Sequence, residues 1–127
     1  VKTDTLFYQL FQTFPHFFFE LLNLPPETAN HYQFSSVEVK QLAFRLDGVF
    51  LPDTSDSPIY FVEVQFQKDN KFYSRFFCEI FLYLHQTDLG NNWQGVIIYP
   101  QRRIEVGETS RYQELLNSGR VSRFYLD

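Results

Sequence analysis

Phe44-Arg45-Leu46-Asp47-Gly48-Val49-Phe50 and, past a loop, Tyr60-Phe61-Val62-Glu63-Val64-Gln65-Phe66 are the stretches on which the fold turns. Both are short, aromatic and β-branched, which predicts strands over about Phe44 to Leu51 and Ile59 to Phe66. Pro52 to Pro58 between them is rich in Asp and Ser, so the two should form an antiparallel hairpin. A further strand, about Phe34 to Lys40, precedes them. Before it, Leu6, Phe7, Leu10, Phe11 and Phe14 recur at helical spacing within Thr3 to Asn23, with Pro15 breaking or restarting the helix. Pro25-Pro26 ends that unit, and Glu27 to His31 suits a short helical turn.

After the hairpin, Asn70 to Gln86 is predicted to be helical, with Phe72, Phe76 and Ile80 on one face. Gly95 to Tyr99 is a buried-type strand stopped by Pro100, Thr109 to Asn117 a short helix with Gly119 past its end, and Val121 to Leu126 a last strand. The expected order is α-β-β-β-α-β-α-β: an α/β (α+β) fold with one mixed sheet flanked by helices. A length of 127 residues suits a single domain over 1–127.

Composition bounds the function. Hydrophobic residues at 44% and charged residues at 20% mark a globular chain and exclude a disordered one. The aromatic share, 20% with 16 Phe, is more than a domain this small readily buries alone, which points to a groove or a homodimer interface. No apolar run reaches membrane-spanning length and no leader pattern is visible, so a cytoplasmic protein without a membrane partner is expected. Cys78 lacks a disulfide partner and falls in an apolar helical pattern, as a core thiol does. The net charge of −4 argues against a protein that merely coats nucleic acid. It is uneven: residues 1–66 hold three basic and eight acidic side chains, residues 67–127 eight and seven.

Three polar residues stand where apolar ones belong. Asp47 interrupts one hairpin strand; Glu63 and Gln65 interrupt the other and, two apart, share a face. An antiparallel hairpin can bring Asp47 beside Glu63. Two carboxylates converging among Phe and Val repel unless a cation neutralises them or one is protonated. An all-oxygen set of this kind suits Mg²⁺ or Mn²⁺.

An acid on one strand, then an acid-x-polar pair on the next, then a helix, resembles the core of the PD-(D/E)XK nucleases. More narrowly, Phe7-Tyr8-Gln9-Leu10-Phe11, Leu46-Asp47-Gly48-Val49-Phe50, Val62-Glu63-Val64-Gln65 and Phe72-Tyr73-Ser74-Arg75 resemble the Rpn-type recombination-promoting nucleases and transposases. The resemblance implies a restriction-endonuclease-like core and a metal-dependent DNA endonuclease tied to recombination or mobile elements. It also implies that Asp47, Glu63 and the Val64 carbonyl bind the metal, and that Asp47, Glu63 and Gln65 are catalytic. Gln65 stands where the superfamily most often has Lys; an amide orients water or phosphate but is no base near neutral pH. A second metal, the substrate phosphate or Lys68 would fill that gap.

Plainer readings compete. A lone strand acid is usually a solvated outer-face residue, and Arg45 offers Asp47 an ordinary ion pair. Glu38-Val39-Lys40 repeats the acid-x-Lys pattern without an earlier acid strand, Glu20 suits a solvated helix face, and His16, His31 and His85 lack metal-ligand spacing. Lys71, Arg75 and Arg102-Arg103 are candidate phosphate contacts. The alternative function is a catalytically inactive nuclease-fold module binding DNA or protein.

Overall fold

A computed structural model describes residues 3–39, 44–106 and 109–127, and the side chains of 6–36, 48–106 and 109–127. Helices α1 (Thr3–Thr13) and α2 (His16–Leu21) lead through a 3₁₀ turn, Pro26–His31, into strand β1 (Tyr32–Val39). Then follow β2 (Phe44–Pro52), β3 (Ile59–Val64), α3 (Phe72–Gln86) and β4 (Trp93–Tyr99). Two further 3₁₀ turns, Arg102–Ile104 and Ser110–Tyr112, precede α4 (Gln113–Asn117) and β5 (Val121–Tyr125). One five-stranded mixed sheet results, in the order β1-β2-β3-β4-β5. The first two pairings are antiparallel and the last two parallel.

Alternation along the strands builds two apolar layers. Ile59, Phe61, Ile97 and Tyr99 join Val49 and the inner face of α3, with Phe72, Phe76, Phe77 and Ile80. Val62, Val64, Val96 and Ile98 face the other way and join Phe11, Phe18, Phe19, Phe34 and Phe50 under α1 and α2. Each fully buried Phe contributes roughly 2–3 kcal/mol. Helices on both faces therefore absorb the aromatic excess: nine Phe are buried, while Phe14, Phe17 and Phe81 stay exposed among the described residues.

Local chemistry sets the boundaries. Pro15, with no N–H to donate, separates α1 from α2. Asn23 at φ 60° closes α2, where the Leu24 N–H donates back to the Phe19 carbonyl (2.9 Å) and the two prolines follow. Asp69 accepts from the Lys71 N–H (2.9 Å) just ahead of α3, so that helix begins at Phe72 and not Asn70. The expected helix at Thr109 to Asn117 divides into the 3₁₀ turn and the short α4. β4 starts at Trp93, two residues before the expected Gly95; β1 starts at Tyr32, and its expected end, Lys40, lies outside the described residues. At the start of β4, the Arg120 guanidinium lies 5.2 Å over the Trp93 ring and donates to the Trp93 carbonyl (3.0 Å). Cys78 is half-buried on α3 and so is not a full core thiol. No helix among the described residues is long and apolar enough to cross a membrane.

Candidate functional site

The site grows from the β2–β3 pairing. Val49 opposes Phe61 and Phe50 opposes Tyr60. One residue further along, Gly48 comes up against Val62, and the strands run on toward Asp47 and Glu63. Gly48 confirms the closeness, since a Cβ there would stand 2.6 Å from the Val62 carbonyl oxygen. On its other edge β2 is irregular: Ser35 pairs with Val49 but Val37 with Leu46, so β2 spends an extra residue at Asp47-Gly48. Such bulges recur where a strand must re-aim what it carries. The Asp47 carboxylate and the Arg45 side chain lie outside the described side chains, as do Glu38 and all of Lys40.

β3 ends at Val64 and not at the expected Phe66, so Gln65 follows the strand. Glu63 has the parity of Ile59 and Phe61, the α3 layer. There Glu63 meets Arg75 from the first turn of α3, Nη1 to Oε1 3.8 Å, with side chains 23% and 35% exposed. The same guanidinium reaches Asp69 (3.2 Å) and Glu79, one turn on along α3 (3.9 Å), and its Cζ lies 5.5 Å from the Phe72 ring centroid. Burial pulls the Arg75 pKa down, but Glu63, Asp69 and Glu79 outweigh it and hold it above its ordinary value. Asp69 is held below the usual carboxylate range, first by the Lys71 N–H and, against some burial, by Arg75.

From the opposite layer, the Tyr8 hydroxyl of α1 donates to Glu63 Oε2 (3.2 Å). Its ring gets there over Gly48: Tyr8 Cε1 would be 3.1 Å from a Cβ at that position. The missing side chain is thus the gap through which α1 touches the acid. Gln65 is 9% exposed; its N–H donates to the Ile98 carbonyl (2.9 Å) and its Nε2 to the Gln67 carbonyl. Successive strand residues aim their backbone groups at opposite neighbours, so the Val64 carbonyl points to the β2 side, where Asp47 lies.

Other candidates sort by position. Lys68 and Lys71 are exposed after β3, and Arg102 and Arg103 after β4; these strands are parallel, so both segments leave the same edge of the sheet. Arg102 stacks on Tyr125 (4.7 Å) and pairs with Asp127 (3.5 Å). Glu20 is exposed on α2; His16 lies against Phe17, His31 against Asp53 (3.4 Å), and His85 is in the last turn of α3, so the three are not gathered. A shallow groove of about 370 Å³ beside Pro25, His31, Tyr32 and Tyr60 opens near the start of β3, the opposite end from Glu63. No group of three or more metal-ligating side chains occurs among the described residues.

Over residues 3–127 the chain matches the model of a protein family of unknown function, DUF2887. It belongs to that family. No curated protein and no solved structure matches it. In this DUF2887 chain, sequence reasoning passed over Tyr8, Asp69 and Glu79 as parts of the site. Glu79 did leave a signal. It breaks the run Phe76-Phe77-Cys78-Glu79-Ile80-Phe81 four residues after Arg75, and at 4% exposure it is a buried carboxylate beside that cation. Tyr8 left none, because its role depends on a gap in another strand.

Proposed function

We propose that this DUF2887 domain is a metal-dependent DNA endonuclease with a restriction-endonuclease-like core. The observation that supports the reading is the antiparallel β2–β3 register, Val49 against Phe61 and Phe50 against Tyr60, which runs on in the direction of Asp47 and Glu63. Donor chemistry fits the group: Glu63 is partly open to solvent, the Val64 carbonyl turns toward β2, and all the donors are oxygens, as Mg²⁺ and Mn²⁺ prefer. Asp47, Glu63 and the Val64 carbonyl would hold the ion, which when bound lowers the pKa of a water and stabilises charge on the phosphate. Tyr8 fixes the Glu63 carboxylate by donating to Oε2, leaving Oε1 toward α3. Gln65, tethered through Nε2, keeps its Oε1 to accept a hydrogen bond from the attacking water and so orients it. Lys68, Lys71, Arg102 and Arg103 supply sequence-independent attraction to the DNA backbone. The general base falls to Lys68, the substrate phosphate or a second ion. A role in recombination or mobile elements, and life in the cytoplasm, belong to the same proposal.

The second reading is a nuclease-fold module that binds without cutting, and the Arg75–Glu63 ion pair favours it, since that contact already neutralises the acid. Nicking of supercoiled plasmid with Mg²⁺ and with EDTA decides between them. The nuclease should cut only with the metal. Asp47→Ala and Glu63→Ala should fall to background, Gln65→Ala well below wild type, and Gln65→Lys should keep part or all of the rate. Cutting by the acid variants would sink the site; no metal-dependent cutting by wild type would favour the binding module.

A further inference from the structure

Arg75 is an odd neighbour for a cation site. Its guanidinium stands within 4 Å of three carboxylates, Glu63 from the sheet, Asp69 from the loop and Glu79 from its own helix. The contacts are unequal. Arg75 gives Asp69 a hydrogen bond at 3.2 Å, whereas its contact with Glu63 at 3.8 Å is a charge contact beyond hydrogen-bond length. The side chain is one-third exposed, so the guanidinium can pivot about its Asp69 anchor at little packing cost. A divalent ion on Glu63 would meet a positive charge already there, and that repulsion turns the pivot outward.

We propose that Arg75 is a resident counter-cation: it balances Glu63 while the site holds no metal, yields that carboxylate to a divalent cation, and then donates to a phosphate oxygen of the DNA. This rests on the nuclease reading and adds a linkage to it. Metal frees Arg75 for phosphate, and phosphate drawing Arg75 away frees Glu63 for metal, so each ligand strengthens the other. Glu79, buried behind Arg75, supplies the negative charge that keeps the guanidinium at the site when Glu63 is given up.

Calorimetric titration with Mg²⁺ alone tests the first half on the full chain without any cleavage. Arg75→Gln should bind Mg²⁺ at least about tenfold more tightly than wild type, because a full positive charge is removed from beside a ligand. The gain should vanish in the Glu63→Gln/Arg75→Gln double variant. Because Arg75→Gln removes a positive charge from beside buried Glu79 and can fail to fold, Arg75→Lys serves beside it. A compact ammonium spans the three acids less well and so competes less for Glu63, and the Mg²⁺ affinity should rise by about threefold. Unchanged or weaker affinity in the folded variants overturns the counter-cation role. Mg²⁺ binding by wild type would then still leave the nuclease reading standing, whereas no binding by any of the proteins removes both. For the phosphate half, anisotropy of a labelled short duplex in Ca²⁺ should give wild type a salt slope about 0.9 steeper than Arg75→Gln, one phosphate contact. In EDTA the slopes should agree. Equal slopes in Ca²⁺ overturn the transfer of Arg75 to phosphate.

Discussion

Replacing Gly48 by Ala adds one methyl where β2 closely approaches Val62 of β3. The new Cβ would lie 2.6 Å from the Val62 carbonyl oxygen, 2.7 Å from Val62 Cγ1 and 3.1 Å from Tyr8 Cε1. The nearest atom is backbone in the middle of a sheet, so it cannot turn aside as a flexible side chain would. Restoring ordinary contact near 3.4 Å means parting the strands by about 0.8 Å. Overpacking of this kind costs about 1–3 kcal/mol. For a chain of this size each kcal/mol lowers Tm by about 4 °C, so the variant should melt roughly 4–12 °C below wild type. Pushing Tyr8 aside also loosens its hydroxyl from Glu63. Plasmid nicking should therefore fall further than stability does, by a factor on the order of 10² for a displacement near 1 Å. Gly90→Ala is the control, since a Cβ there meets nothing within 4 Å, and it should stay within about 0.5 kcal/mol of wild type. Differential scanning calorimetry of both variants in EDTA is sufficient. A Gly48→Ala Tm equal to that of Gly90→Ala would refute the close approach of the strands and the register carried through it.

Two further outcomes follow from contacts away from that gap. Glu105 accepts from the Tyr73 and Tyr125 hydroxyls and from Arg123 (2.6–2.7 Å); burial raises its pKa, but these donors more than offset that and hold it below the ordinary 4.5. A depressed carboxylate stabilises the fold above its unfolded pKa and loses that contribution as pH falls through the folded value. Glu105→Gln should thus cost about 2 kcal/mol at pH 7, with the gap to wild type closing as pH falls below the ordinary 4.5; urea melts across that range would show a pH-independent gap if the pair is inert. Tyr8→Phe removes the donor to Glu63 and should cost about 1 kcal/mol in EDTA; a melt unchanged from wild type would mean that the hydroxyl is solvated instead.

The hairpin, the Pro15 break, α3 and the later strands were legible because each rests on local signals: alternation, proline geometry and helical spacing. The antiparallel pairing of β2 with β3 was legible too, as a consequence of a short loop between two strand-like segments. What the sequence hid was the partner chemistry. Among the described side chains, the cation beside Glu63 is Arg75, twelve residues on and brought back by the β3-to-α3 turn that Asp69 closes. The bulge at Asp47-Gly48 was equally hidden, since it is a mismatch between two strands and neither alone encodes it. The surplus of Phe suggested an interface; sheet faces covered on both sides bury most of it, a consequence of three layers that composition cannot reveal.

Trp93, the chain's single tryptophan, sits at the far end of the sheet from the acids. It pairs with Ile59, whereas Glu63 pairs with Ile97, four residues or roughly 13 Å along the strands. Its indole is half-buried between Arg120 and Phe81, so its emission must shift when the sheet opens. A metal or phosphate at Glu63 lies beyond contact with that ring. Nature has therefore placed the only strong fluorophore where intrinsic emission reports unfolding while staying nearly blind to occupancy of the site, and every variant can be followed without a label.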